Sequence, residues 1–230
     1  MIDFDFSSVP NAALRGPDAV ALSTTDGLRH GYLCGQHIVR AGLTGPVVEC
    51  GVAAGSQAAM MARGIMSLGG ANELHLYDSF EGIPMAGPKD ADQPGIGAIT
   101  HDVNAPLCER LRSSGVSAYG MDVVRRNHAA WGINLRTTYV AGWFQDTVPK
   151  CDLTDIAILR LDGDLYESTM VCLEHLYDRV AVGGLIIIDD IDLPGCRLAC
   201  EEFFEARCLT YLIQMVEVGG GYHIGTWVKQ

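Results

Sequence analysis

Five continuous apolar runs, each giving way to a glycine or an aspartate, constrain the fold of this chain more than any other feature. They are "PVVEC" (46–50), "ELHLYD" (73–78), "TTYVA" (137–141), "DIAILRL" (155–161) and "GLIIIDD" (184–190). Strict apolar–polar alternation would mark strands with one wet face, whereas continuous runs mark strands covered on both. The connections are long enough for helical crossovers, so the runs predict a mostly parallel, doubly wound α/β sheet. "ESTMVCLEHLYDRV" (167–180) is one crossover helix, and another begins near Ser56. The C-terminal end differs. There "TYLIQMVEV" and "YHIGTWVK" flank Gly219, Gly220 and Gly221, which predicts an antiparallel hairpin closing the sheet edge. Residues 83–127 carry Gly and Pro but few strand signals, the pattern of a lid or substrate-binding segment.

At 230 residues the chain suits one domain, with residues 1–45 as an N-terminal helical cap. A formal charge of −12 argues against nucleic acid or an anionic membrane surface as partner, because both need a cationic face. No apolar run is long enough for a membrane span. The opening "MIDFDFSSVPNAALRGPD" lacks the basic-then-apolar order of a signal peptide, so the expected compartment is the cytoplasm. The eight cysteines include no CxxC pair, and Cys196 and Cys200, spaced i, i+4, lack the second ligand pair of a zinc site; buried free thiols are expected. The histidines are scattered. His175 reads as helix surface, while His101 and His128 border the lid and are weak candidates for touching substrate. Neither a GxSxG elbow nor a GxxxxGK(S/T) loop is present, which argues against serine hydrolases and P-loop NTPases.

"VVECGVAAGSQA" (47–58) ends a strand with Glu49, spaces Gly51 and Gly55 four apart and opens a helix at Ser56. Glycines there let a ligand approach the backbone, and the helix start offers N–H groups. The spacing is not the GxGxxG of dinucleotide folds. An acidic residue followed by GxxxG is common in S-adenosylmethionine (SAM) folds, and an ordinary βα turn is the competing reading. Asp78, 27 residues beyond Gly51, closes the next strand in "LYDSFEGIP" (76–84). A carboxylate there can accept from both ribose hydroxyls or cap a helix. "GWFQD" (142–146) follows another strand, so Gly142 and Trp143 are cofactor-side candidates; Trp143 and Phe144 could wall an adenine or pack in the core.

The stretch "LRLDGDLYES" (159–168) carries the chemistry. Asp162 and Asp164 follow one strand and Asp189 and Asp190 the next, with a crossover helix between. That connection makes the strands parallel and brings both pairs to the same carboxyl edge. Carboxylates converging there without His or Cys repel one another unless a hard cation lies between them. Oxygen ligands suit Mg²⁺, Mn²⁺ or Ca²⁺ rather than zinc. The alternative is a turn at Asp162 and a helix cap at Asp189 and Asp190.

Taken together, "VVECGVAAGS", "LYDSFEGIP", "GWFQDTVP", "LRLDGDLYEST", "LYDRVAVGGLIIIDD" and "CRLACEEF", in this order over residues 46–205, resemble the macrocin O-methyltransferase (TylF/MycF) family. The resemblance implies a seven-stranded Rossmann-like methyltransferase sheet, with SAM and Mg²⁺ (or Mn²⁺) as cofactors. It implies methylation of a hydroxyl on a glycosylated bacterial natural product, typically a deoxysugar, by a homo-oligomer, often a dimer. By resemblance Gly51, Asp78 and Ser79 contact SAM, Asp162, Asp189 and Asp190 bind the metal, and Asp164 is the general base. Glu49, Gly55, Ser56, Gly142, Trp143 and Asp162 complete the expected cofactor set.

Three departures from the family pattern stand out. Ala53, Ala54 and Gly55 replace an Arg-Gly-Gly-type sequence. Ile191 and Asp192 follow the second aspartate pair where an aromatic residue is common, which makes Asp192 an alternative base or a fourth acidic neighbour. The chain is also somewhat short. The runner-up function is a catechol-type, metal-dependent O-methyltransferase acting on a small aromatic diol. A nucleotide-dependent oxidoreductase would lack its GxGxxG, and a catalytically silent SAM-fold subunit would have no need of four aspartates.

Overall fold

The computed structural model describes residues 2–91, 103–210 and 213–230. Among them lie strands β1 Val47–Cys50, β2 Leu74–Asp78, β3 Thr137–Ala141, β4 Ile156–Leu161, β5 Val180–Ile188, β6 Gln214–Glu217 and β7 His223–Val228. They form one sheet in the order β3-β2-β1-β4-β5-β7-β6. The first five pair in parallel, and β7 runs antiparallel to both β5 and β6. The helices are α1 Thr25–Arg40, α2 Ser56–Ser67, α3 Leu107–Arg110, α4 Met121–Ala130, α5 Phe144–Thr147, α6 Tyr166–Leu176 and α7 Pro194–Ala206. This is the doubly wound sheet with a C-terminal hairpin that the sequence predicts.

Continuous apolar runs are needed because successive residues serve opposite cores. In β5, Ile186 and Ile188 pack with Leu173 of α6 and Phe204 of α7, whereas Leu185 and Ile187 pack with Ile38 of α1 and Met61 of α2. Each such burial contributes about 1.5–3 kcal/mol, so the sheet is held from both faces. Inside β4 every residue is buried, Arg160 among them.

Some expectations need correction. β5 begins at Val180 rather than at residue 184, because α6 stops at Leu176 and a 3₁₀ turn, Tyr177–Arg179, delivers Val180 to pair with Ile156. The β-branched Val180 and Val182 suit an extended chain better than a last helical turn. Six cysteines are buried free thiols as expected, but Cys108 and Cys208 are exposed: one sits in the short α3 and the other just past the end of α7. His101, residues 92–102 of the expected lid, and Tyr211 and Leu212 of the expected hairpin lie outside the described residues. No helix among the described residues is long and apolar enough to cross a membrane.

The strand order reverses between β1 and β4, which opens a crevice at the carboxyl edge. The parallel ladder continues one residue past the strand ends. Gly142 N–H donates to Asp78 O (2.9 Å), Gly51 to Tyr77 O (2.9 Å), Asp162 to Cys50 O (2.8 Å) and Asp189 to Leu161 O (2.9 Å). Gly142, Asp78, Gly51, Asp162 and Asp189 therefore stand in one row along the crevice. Gly51 has φ +91°, and a Cβ there would lie 1.7 Å from the Asp162 carbonyl oxygen. Gly51→Ala is expected to lower unfolding free energy by on the order of 3 kcal/mol, combining backbone strain with that clash. Urea denaturation would show it; an unchanged midpoint would mean that β1 and β4 separate freely at this edge.

Candidate active site

One cavity occupies the crevice. Of the residues singled out from the sequence, Gly51, Asp78, Ser79, Gly142, Trp143, Asp162, Asp164 and Asp189 line it, as do Phe144 and, from the expected lid, Ile83 and Pro84. Glu49, Gly55, Ser56, Asp190 and Asp192 do not appear in its wall.

Asp78 closes the amide side of the glycine loop. Its Oδ2 accepts from Val52 N–H (2.7 Å) and Ala53 N–H (3.2 Å), and its Oδ1 from Phe80 N–H (2.7 Å). Burial raises its pKa, an effect partly offset by those N–H donors. Ser79 is spent within its own turn: its Oγ donates to Gly82 O (2.8 Å) and accepts from Glu81 and Gly82 N–H. Gly55 is the left-handed N-cap of α2, and a Cβ there would press on Val124 and His128 of α4. Ser56 is buried, and its Oγ accepts from Leu22 N–H (3.4 Å).

The acidic residues fall into two groups. Asp162, Asp164 and Asp190 each place a carboxylate oxygen within 4.8 Å of the others. Asp164 turns into the cluster through a left-handed φ of 59°, a conformation aspartate tolerates better than most residues. Its N–H donates to Asp190 Oδ2 (2.9 Å), and Tyr222 O–H donates to Asp190 Oδ1 (3.0 Å). Burial, reinforced by Asp162 and Asp189, pushes the Asp164 pKa up to about 7. Burial, followed by the repulsion of Asp164, raises Asp190 well above the usual carboxylate range.

The second group surrounds Arg160. Its guanidinium is 2% exposed and donates to Glu49 Oε1 (2.7 Å), Asp162 Oδ2 (2.8 Å) and Asp189 Oδ1 (2.5 Å). Glu49 stands opposite Arg160 in the β1–β4 register. Expected on the cofactor side, Glu49 is instead 1% exposed and bound to this cation beneath the crevice. Its burial, against the pull of Arg160, raises its pKa to about 8. Asp189 is likewise raised to about 6 by burial despite the same partner.

Asp192 lies apart: its Oδ2 accepts from His223 N–H (2.7 Å), and its Oδ1 lies 3.3 Å from Arg197. His128 is buried against Gly55 O and does not line the cavity, while His175 is exposed as expected. Sequence reading missed Arg160, Tyr222 and the anchors of the lid segment. One anchor is Asp90, whose Oδ1 accepts from Tyr166 N–H (2.8 Å) at the start of α6; another is Arg110, which forks onto Glu167. For Arg160 a signal existed, since a lone arginine inside "IAILRL" must find buried partners.

The Macrocin-O-methyltransferase (TylF) family profile matches residues 18–224. The chain belongs to that family. It is 34% identical over 187 residues to 8-demethyl-8-(2,3-dimethoxy-alpha-L-rhamnosyl)-tetracenomycin-C 4'-O-methyltransferase of Streptomyces olivaceus, covering 80% of this chain and 66% of that one. It is 30% identical over 207 residues to mycinamicin III 3''-O-methyltransferase of Micromonospora griseorubida, covering 88% and 76%. The chain thus spans about two thirds of the length of the first relative and three quarters of the second. The solved structure of the O-methyltransferase NovP superposes with a TM-score of 0.69 at 28% identity, over 89% of this chain and 80% of that one. The fold is accordingly the Rossmann-like fold of SAM-dependent methyltransferases, here with an acidic cluster that could bind a metal.

Two outcomes follow from the charges. Arg160→Met deprives Glu49, Asp162 and Asp189 of their cation and is expected to cost about 3–5 kcal/mol, whereas Glu49→Leu combined with Arg160→Met recovers the part of that loss due to the fully buried Glu49 in urea denaturation. Equal losses in the two variants would contradict the pairing. Glu49, Asp164 and Asp189 titrate near 8, 7 and 6 in the folded chain, against ordinary values of 4.5, 3.8 and 3.8. The folded state therefore binds more protons in that window, and without added cation its stability falls as pH rises from about 4 to 8. The urea midpoint is expected to be lower at pH 8 than at pH 5.5, with Glu49→Gln removing part of the difference.

Proposed function

We propose that this chain transfers a methyl group from SAM to a hydroxyl of a glycosylated natural product, with Mg²⁺ or Mn²⁺ at the aspartates. The observation that carries this reading is the convergence of Asp162, Asp164 and Asp190 within 4.8 Å, beside the glycine loop and Asp78, in a member of this family. The two relatives named above are, by name, methyltransferases for a rhamnosyl-tetracenomycin and for mycinamicin III, which supports a sugar hydroxyl as target. Among the described residues lining the cavity are four aspartates and no Lys, Arg or His, which suits an uncharged acceptor better than an anionic one.

The residues suit both cofactors. Gly51 and Ala53 offer backbone with almost no side chain, Asp78 faces the same space as an acceptor for ribose hydroxyls, and Trp143 and Phe144 offer flat walls. The acidic donors are all oxygen, as a hard divalent cation prefers. Asp162, Asp189 and Asp190 would hold the cation; Arg160 engages one oxygen of Asp162 and one of Asp189, and each keeps a second.

SAM supplies an electrophilic methyl: the acceptor oxygen gains the C–O bond as the S–C bond breaks and S-adenosylhomocysteine leaves. A bound divalent cation supplies Lewis acidity that eases ionisation of the acceptor hydroxyl. Asp164 accepts the hydroxyl proton, and with its pKa pushed up to about 7 it is poised near neutral pH for that task. The Asp164 N–H bond to Asp190 fixes the turn that carries the base. Of the expected lid, Ile83, Pro84 and Ser117 wall the acceptor side of the cavity and would help to exclude water there. The unit is one domain, 1–230, with 1–45 as its cap, working in the cytoplasm as a homo-oligomer. In a second reading, favoured by the approach of Asp164 to Asp162 and Asp190, Asp164 is itself a metal ligand.

Calorimetric titration tests the class: S-adenosylhomocysteine is expected to bind at micromolar concentration and NAD not at all. Binding of NAD alone would overturn the methyltransferase reading, and screening sugar against catechol acceptors separates it from the catechol-type alternative. Asp164→Asn is expected to lower turnover by about 10²–10⁴-fold while leaving Mn²⁺ affinity unchanged. A parallel fall in Mn²⁺ affinity would assign Asp164 as a ligand instead.

A further inference from the structure

One wall of the cavity belongs to neither the strand ends nor the lid segment. Leu22, on the stretch leading into α1, lines it while remaining 47% exposed, and its neighbour Val20 is 41% exposed. Two apolar side chains left in water at a cavity mouth imply that something else holds this stretch in place. Asn127 of α4 does so. Its Oδ1 accepts from Val20 N–H (3.3 Å), and its Nδ2 donates to Val20 O (3.4 Å) and to Ala54 O (2.7 Å).

Ala54 belongs to the glycine loop, and the next residue of α4 repeats the contact. His128 Nε2 lies 3.2 Å from Gly55 O. Burial lowers the His128 pKa to about 4, so the ring is neutral at pH 7 and Nε2 carries the donated hydrogen. The glycine loop is therefore gripped from two sides, its amides by Asp78 and its carbonyls by α4. Asn127 is itself 4% exposed and does not line the cavity. All three of its side-chain bonds go to two segments distant in sequence, and both of those segments do line it.

We infer that Asn127 is a positioning residue for cofactor binding: its amide sets the glycine loop and the 20–22 strap in one register, so that Leu22 closes over SAM held by the loop. This rests on the SAM reading above. An asparagine that merely satisfied the packing of α4 would affect folding and leave the ligand affinity of the folded protein alone.

The test uses S-adenosylhomocysteine calorimetry on the full chain. Asn127→Leu removes all three bonds. Asn127→Asp keeps the shape but sets a carboxylate oxygen against the Ala54 carbonyl. Both are expected to raise Kd at least tenfold, the ratio for about one lost buried hydrogen bond, while Mn²⁺ affinity stays at the wild-type value. In turnover, KM for SAM is expected to rise with kcat held, a split that a general loss of fold would not produce. Leu22→Ala, at a half-exposed position that cannot unfold the core, is expected to raise Kd with no change in thermal midpoint; it keeps the inference testable if the Asn127 variants do not fold. Wild-type Kd in a folded Asn127 variant, or in Leu22→Ala, would overturn the inference. Failure of the wild-type chain to bind S-adenosylhomocysteine would overturn the SAM reading and this inference with it.

Discussion

A guanidinium buried at the penultimate residue of β4 sets the terms on which the rest of the site can exist. Charged groups are expensive to remove from water, and only close, hydrogen-bonded partners offset the cost. Arg160 finds three, from three adjacent strands or the residues just past them: Glu49 in β1, Asp162 beyond β4 and Asp189 beyond β5. The bonds fix the strand ends against one another just where the crevice opens. They also divide the acidic residues. Asp162 and Asp189 share an internal cation, whereas Asp164 and Asp190 do not; burial first, and then their acidic neighbours, raise the pKa values of Asp164 and Asp190. Asp164 lines the cavity with Asp190 buried behind it, so the carboxylates left without an internal cation belong to the cluster that could bind a metal.

Most of the sheet was legible because its physics is local. A run such as "DIAIL" is apolar on both faces only if both faces are covered, and in β4 they are. Glycine and aspartate at the run ends marked the crevice because the ladder carries them to, or one step past, the end of each strand. The start of β5 was not legible, since "LYDRV" continues a plausible helix and only the pairing of Val180 with Ile156 decides otherwise. The division of the aspartates was hidden for a different reason. It depends on Arg160 meeting partners 111 and 29 residues away, and no spacing rule reports such distances. Ser79 and Asp78 illustrate a third limit: the sequence named them as contacts for a ligand, while much of their hydrogen-bonding capacity goes to shaping their own loops.

The segments outside the sheet are tied to the same few residues. α6 begins without a side-chain cap of its own, and Asp90, from a remote segment, accepts the Tyr166 N–H in its place. Arg110 holds Glu167 one residue further on. The turn bearing Asp164 is therefore fastened on one side by the segment whose Ile83 and Pro84 line the cavity and on the other by Asp190. On the cofactor side, α4 performs the corresponding service for the glycine loop. Each half of the cavity is thus shaped by groups that never enter it.

The C-terminal hairpin adds an order of events. Tyr222, immediately after the three left-handed glycines, reaches back to Asp190, and β7 covers the open edge of β5. A ribosome must therefore have delivered Tyr222 and β7 before the acidic cluster has that donor and β5 that neighbour. A nascent chain stalled before residue 222 would hold the strands and most of the carboxylates, yet Asp190 would lack its tyrosine. A product truncated before Tyr222 would therefore be a poor competitor for the ligands of this site.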